Sequence, residues 1–81
     1  MKIKVKLFAS IKDLCGFSEK ELIVSDSITI ENILEELSKN YCSLNGVRET
    51  LLFAINGEYC KSDAVLSESD ELAIFPPVSG G

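Results

Sequence analysis

From Lys2 to Leu7 polar and apolar residues alternate without a break, placing Ile3, Val5 and Leu7 on one face of an extended segment and three lysines on the other. A half-buried strand is predicted. Residues 9–14 suit one or two helical turns closed by Gly16. Glu21-Leu22-Ile23-Val24 reads as a second strand, too distant for a two-residue hairpin but able to pair antiparallel with the first. From Thr29 the period becomes helical, with Ile30, Ile33, Leu34, Leu37 and Tyr41 on one stripe. Thr29 is the expected N-cap, Glu31 sits where the helix dipole favours an acid, and Glu35 is spaced to pair with Lys39. The helix should end between Lys39 and Leu44, with Asn45-Gly46 in the return loop.

Leu51 to Ile55 is continuously apolar, which predicts a strand covered on more than one side and placed centrally in a sheet. Asn56-Gly57 supplies the positive φ angles of a two-residue hairpin, so Glu58-Tyr59-Cys60 should fold back. Ser67 to Asp70 form a polar turn before a last strand, Glu71 to Phe75. The predicted fold is α+β: residues 1–75 form one domain with one main helix packed on one face of a mixed sheet, and residues 76–81 a flexible tail. If the first and last strands are neighbours in the middle, the arrangement is the ubiquitin-like β-grasp. Periodicity alone leaves other small α+β sandwiches open.

A chain of 81 residues supports one core. It contains no apolar run that could serve as a signal peptide or cross a membrane, so a cytoplasmic protein without membrane contact is expected. Its net charge of −5 has the wrong sign for neutralising phosphates, which argues against a nucleic-acid partner. The absence of histidine removes Ser-His-Asp triads, histidine-activated cysteines and His-ligated metals, and no metal site is expected. Cys15, Cys42 and Cys60 are widely spaced and odd in number, and reduced thiols packed as small apolar residues are predicted.

The chemical signal lies in the ending Phe75-Pro76-Pro77-Val78-Ser79-Gly80-Gly81. A carboxylate flanked by Gly80 and Gly81 has no Cβ beside it and can enter a narrow channel. Pro76 and Pro77 favour an extended run that carries this end away from the sheet. Side-chain parity adds a second feature. Phe8 falls on the lysine face of the first strand and Phe75 opposite Leu72 and Ile74 on the last, so the two could share the open face with Tyr59. Such a patch indicates a partner, the alternative being that both phenylalanines turn inward at the strand ends or pack under a loop.

The whole chain, from the opening strand and Phe8-Ala9 to the F-P-P-V-S-G-G ending, resembles the small sulfur-carrier subunits of molybdopterin synthase. The resemblance implies a β-grasp fold and a working group at Gly81, first adenylated and then converted to a thiocarboxylate that donates sulfur to the dithiolene of molybdopterin. Pro76, Pro77, Val78, Ser79 and Gly80 would thread the tail, and Phe8, Tyr59 and Phe75 would contact the large subunit of a heterotetramer. No cofactor would be bound, ATP being used by a ubiquitin-activating-enzyme-like adenylyltransferase. Sulfur would come from a cysteine desulfurase or rhodanese-like donor. The large subunit would hold the catalytic pocket, so the chain would be no enzyme by itself. A ubiquitin-like protein modifier, or a carrier for another pathway such as thiamine synthesis, is the alternative.

Overall fold

The computed structural model describes residues 1–41, 44 and 46–77. Along the chain these form β1 (Lys2–Leu7), α1 (Ala9–Cys15), β2 (Glu19–Ile23), α2 (Ile30–Asn40), a 3₁₀ turn (Arg48–Thr50), β3 (Leu52–Ile55), β4 (Glu58–Cys60) and β5 (Glu71–Phe75). The strands form one mixed sheet in the order β2-β1-β5-β3-β4. β1 and β5 run parallel in its middle, and the other pairings are antiparallel. This is the expected β-grasp arrangement. The apolar run of β3 lies fourth in the sheet and leaves the central place to β5, which corrects the sequence expectation.

One face of the sheet builds the core. Ile3, Val5 and Leu7 from β1 and Leu72 and Ile74 from β5 are buried against Ile30, Ile33, Leu34 and Leu37 of α2. Burying aliphatic side chains of this size contributes about 1.5–3 kcal/mol each, so this layer dominates the stability. α2 begins as its sequence demands. The Thr29 hydroxyl accepts from the Asn32 N–H at 3.2 Å, and Asn32 Oδ1 accepts from the Thr29 N–H at 3.3 Å, completing a capping box. α1 closes on Gly16, whose φ of 81° is the left-handed geometry glycine tolerates, with its N–H donating to the Lys12 carbonyl.

Four local expectations change. β2 starts two residues before the predicted segment and ends at Ile23, because pairing with β1 sets its bounds. Tyr41 belongs to the helical stripe by spacing, yet it is the C-cap of α2 and exposed, its ring against Phe17. Glu35 pairs with Arg48 at 3.3 Å instead of Lys39, and Arg48 also holds the Glu31 carboxylate. Cys15 is disulfide-bonded, which corrects the expectation of three reduced thiols. Bridging depends on the approach of Cβ atoms in the fold, which spacing along the chain does not reveal. Cys60 is a free thiol, and Cys42 lies outside the described residues.

Candidate functional site

The parallel pairing of β1 and β5 sets Leu7 opposite Ile74, which brings Phe8 level with Phe75. The Phe8 N–H donates to the Ile74 carbonyl at 3.2 Å, and the two rings stack with centroids 4.7 Å apart and planes 13° from parallel. Immediately after Phe8, Ala9 takes a φ of 50°, so the chain turns sharply into α1. From the other side, β3 sets Leu52 opposite Phe75 and Ala54 opposite Ala73, while the hairpin sets Tyr59 opposite Ala54. The Tyr59 ring therefore reaches across small side chains to lie 6.1 Å from Phe75. Both central residues of that hairpin, Asn56 and Gly57, have the expected positive φ values of 51° and 85°.

Phe8, Phe75 and Tyr59 thus form one aromatic surface on the sheet face away from α2. It remains accessible: Phe8 is 39% and Tyr59 74% exposed, so the alternative in which the phenylalanines turn inward does not hold. Beside it on this face stand ion pairs. Lys6 meets Glu71 at 3.2 Å, Lys4 meets Glu19 at 3.5 Å and Lys2 meets Glu21 at 3.8 Å. These pairs are solvent-exposed and contribute little to stability, so their main effect is to give the apolar patch a charged border.

The chain leaves the sheet at the edge of this patch. β5 ends at Phe75, and the next two residues are prolines, which carry no N–H to continue the ladder. Pro76 is half-buried and Pro77 exposed. The remaining tail residues predicted to matter, Val78, Ser79, Gly80 and Gly81, lie outside the described residues.

No polar or charged residue is buried as a whole among the described residues, although the Ser38 hydroxyl oxygen is buried without a hydrogen-bond partner, and none of their His, Cys, Asp or Glu groups gather as three or more potential metal ligands. Burial pushes the Cys60 thiol above its ordinary range, with the Asp63 carboxylate adding to the rise and a backbone hydrogen bond with Ile55 opposing it. Cys60 is accordingly a protonated thiol at neutral pH and a weak nucleophile. No helix among the described residues is long and apolar enough to cross a membrane.

Sequence reasoning located the three aromatic residues but missed the floor beneath them. Leu52, Ala54 and Ala73 occupy the same parity, and the small residues at 54 and 73 leave space for the Tyr59 ring. The shared parity of Leu52 and Ala54 was the available signal, hidden inside a run that is apolar at every position.

Comparisons with known proteins identify the family. The ThiS family profile matches residues 5–81. The molybdopterin synthase sulfur carrier subunit of Arabidopsis thaliana is 40% identical over 81 residues, covering all of this chain and 84% of that protein. Among solved structures, SAMP1 from Haloferax volcanii superposes with a TM-score of 0.84 at 28% identity over the full length of both chains. A putative molybdopterin converting factor subunit 1 from Pyrococcus furiosus gives 0.77 at 28% identity, with 96% of this chain and 99% of that one covered. The chain belongs to the ThiS family and, within it, to the molybdopterin synthase sulfur carrier subunits.

Proposed function

We propose that the Gly81 carboxylate carries sulfur as a thiocarboxylate, and that the aromatic patch is the handle by which a large synthase subunit grips the body. One observation carries this reading: the patch surrounds the point where β5 ends and the diproline tail begins. A partner that covers Phe8, Phe75 and Tyr59 is thereby placed to receive the tail. The six residues after Phe75 span at most about 20 Å at roughly 3.3 Å each, enough to reach into a neighbouring active site.

The body supplies no buried acid, base or activated nucleophile among its described residues, so the chemistry falls to other proteins acting on its end. A carboxylate is a poor acyl donor. An ATP-dependent adenylyltransferase would convert it to an acyl-adenylate with release of pyrophosphate. The persulfide of a cysteine-desulfurase or rhodanese-like donor would displace AMP to give an acyl disulfide, and a second thiol would cleave that bond, leaving as a disulfide with the donor and releasing the thiocarboxylate. The thiocarboxylate would pass its sulfur to the dithiolene of molybdopterin in the large subunit's pocket, and water would restore the carboxylate. Pro76 to Ser79 would thread that pocket's entrance, with Gly80 and Gly81 lacking the Cβ atoms that would obstruct it.

The likeness to SAMP1, a small archaeal modifier protein, supports a second reading in which the same end is joined to lysines of target proteins. Intact mass of protein isolated from its own cells separates the two. Exchange of one oxygen for sulfur at the C-terminal peptide, together with conversion of the pterin precursor by the thiolated form alone, is expected for the carrier. Isopeptide-linked adducts without a thiolated pool would overturn it.

A further inference from the structure

β2 closes one side of the sheet, and no strand among the described residues pairs with its outer edge. Val24 exchanges two backbone hydrogen bonds with Met1, at 2.8 and 2.6 Å, and the Ser18 carbonyl accepts from the Leu7 N–H at 2.8 Å. Antiparallel ladders alternate, so Lys20 and Leu22 point their backbone groups at β1, whereas Glu19, Glu21 and Ile23 point theirs outward. No backbone hydrogen bond from any other described segment reaches those three residues. Ile23 is also the most exposed large apolar residue described, at 77%.

Beside this edge, an open groove of about 640 Å³ runs between β2 and the C-terminal half of α2. Leu22, Val24, Ile28 and Tyr41 give it an apolar wall, and Glu21 and Glu36 are the charged residues among its described lining. The one cation of β2, Lys20, is engaged elsewhere, lying 5.0 Å from the centroid of Phe17 and 4.7 Å from that of Tyr41. The site is therefore acidic, apolar and bordered by unpaired strand edge.

β1 shows what kind of strand β2 accepts. On the open face its Lys2 and Lys4 reach Glu21 and Glu19, while Ile3 and Val5 enter the core on the other. A strand added to the outer edge would meet the same two environments, the carboxylates of Glu19 and Glu21 on one side and the apolar groove with Glu36 on the other. We propose that this edge and groove dock an extended segment of a partner protein, alternating aliphatic residues with Lys or Arg, as a sixth strand of the sheet. The site lies across the sheet from Tyr59, so a protein held there leaves the aromatic patch and the tail free.

The test titrates the capped hexapeptide Lys-Ile-Lys-Val-Lys-Leu into the isotope-labelled full chain. Saturable amide shifts are expected at Glu19, Glu21, Ile23 and the groove wall. The same peptide with Glu in place of Lys should bind at least about tenfold more weakly, since like charges then face each other across the edge. Glu21→Pro removes an outward N–H while sparing the ladder to β1, and Glu36→Lys reverses charge on the helix without touching the sheet. Each should weaken the lysine peptide about tenfold with the circular dichroism spectrum intact. If Glu21→Pro fails to fold, Glu36→Lys and the shift map decide. Absence of saturable shifts, shifts confined to other surfaces, or equal affinity for the acidic peptide would overturn the proposal. So would concentration-dependent dimerisation through this edge, which would make a second copy the occupant. Phe75→Ala should leave peptide affinity unaltered, which keeps the result independent of the sulfur-carrier reading.

Discussion

Phe75→Ala tests whether the aromatic patch is a binding surface or merely part of the fold. In the free protein the substitution removes the stack on Phe8 at 4.7 Å and the tilted contact with Tyr59 at 6.1 Å. Aromatic pairs contribute about 0.5–1.5 kcal/mol each beyond their buried area, so the folded state should lose about 1–3 kcal/mol. Against a stability on the order of 5 kcal/mol for a small domain, about 2 kcal/mol or more remains, and roughly 3% of the chain at most is unfolded. That fraction changes an apparent dissociation constant by only about 3%, because affinity is reduced only by the share of molecules unable to bind. A central anchor of an interface is worth about 2 kcal/mol or more, which corresponds to roughly a thirtyfold weaker complex. The two effects therefore separate by size.

The assay is isothermal titration of a candidate large subunit with wild type and variant, alongside urea unfolding of each. Expected are a thirtyfold loss of affinity and an unfolding curve shifted but still cooperative. An unchanged dissociation constant, with the predicted stability loss present, would show that the rings pack for the fold alone and would remove Phe75 from the site.

Deleting Gly80 and Gly81 should abolish sulfur transfer while leaving the thermal unfolding midpoint unaltered; a large drop in the midpoint would contradict the division into body and tail. Thr29→Ala breaks the capping box of α2 and should cost about 1 kcal/mol, seen as a midpoint about 4–8 °C lower. Cys60, its thiol pKa raised, should react with iodoacetamide more slowly than a small free thiol at about pH 8 and accelerate as pH rises further; matching rates at that pH would contradict the burial argument.

The elements most legible in the sequence are those whose cause is local. The alternation of residues 2–7, the Thr29 cap and the Asn56-Gly57 turn each state their own geometry, and the structure adopts all three. Features that depend on approach from elsewhere were hidden. β2 extends back over Glu19 and Lys20, whose polarity gives no strand pattern, because β1 supplies partners for them. Glu35 turns to an arginine thirteen residues away instead of the lysine one turn on. Tyr41 follows the helical spacing but has φ −128° and ψ −49°, so the stripe ends one turn before the pattern does. For the site, parity along two strands was enough to bring Phe8 and Phe75 to one face. Their stacking required the parallel register, which no single strand encodes.

That register also fixes the place where the chain leaves the sheet. β5 is fixed at its start, where the Glu71 N–H donates to Asn56 Oδ1 at 3.0 Å, the Glu71 carbonyl accepts from the Asn56 N–H at 2.9 Å, and Asn56 Nδ2 donates to Asp70 at 2.9 Å. It is then flanked by β1 and β3 along its length and released only at Pro76. The strand thus acts as a strut that delivers the root of the tail to one place, level with Phe8. Tyr59 stands apart from this centre, on a three-residue strand paired among the described residues with β3 alone. A partner that closed on the patch would therefore meet two rings already ordered by the core of the sheet and a third, far more exposed, that can still adjust. Most of the ordering entropy of Phe8 and Phe75 has been lost on folding, so binding there incurs less of that cost than binding at Tyr59.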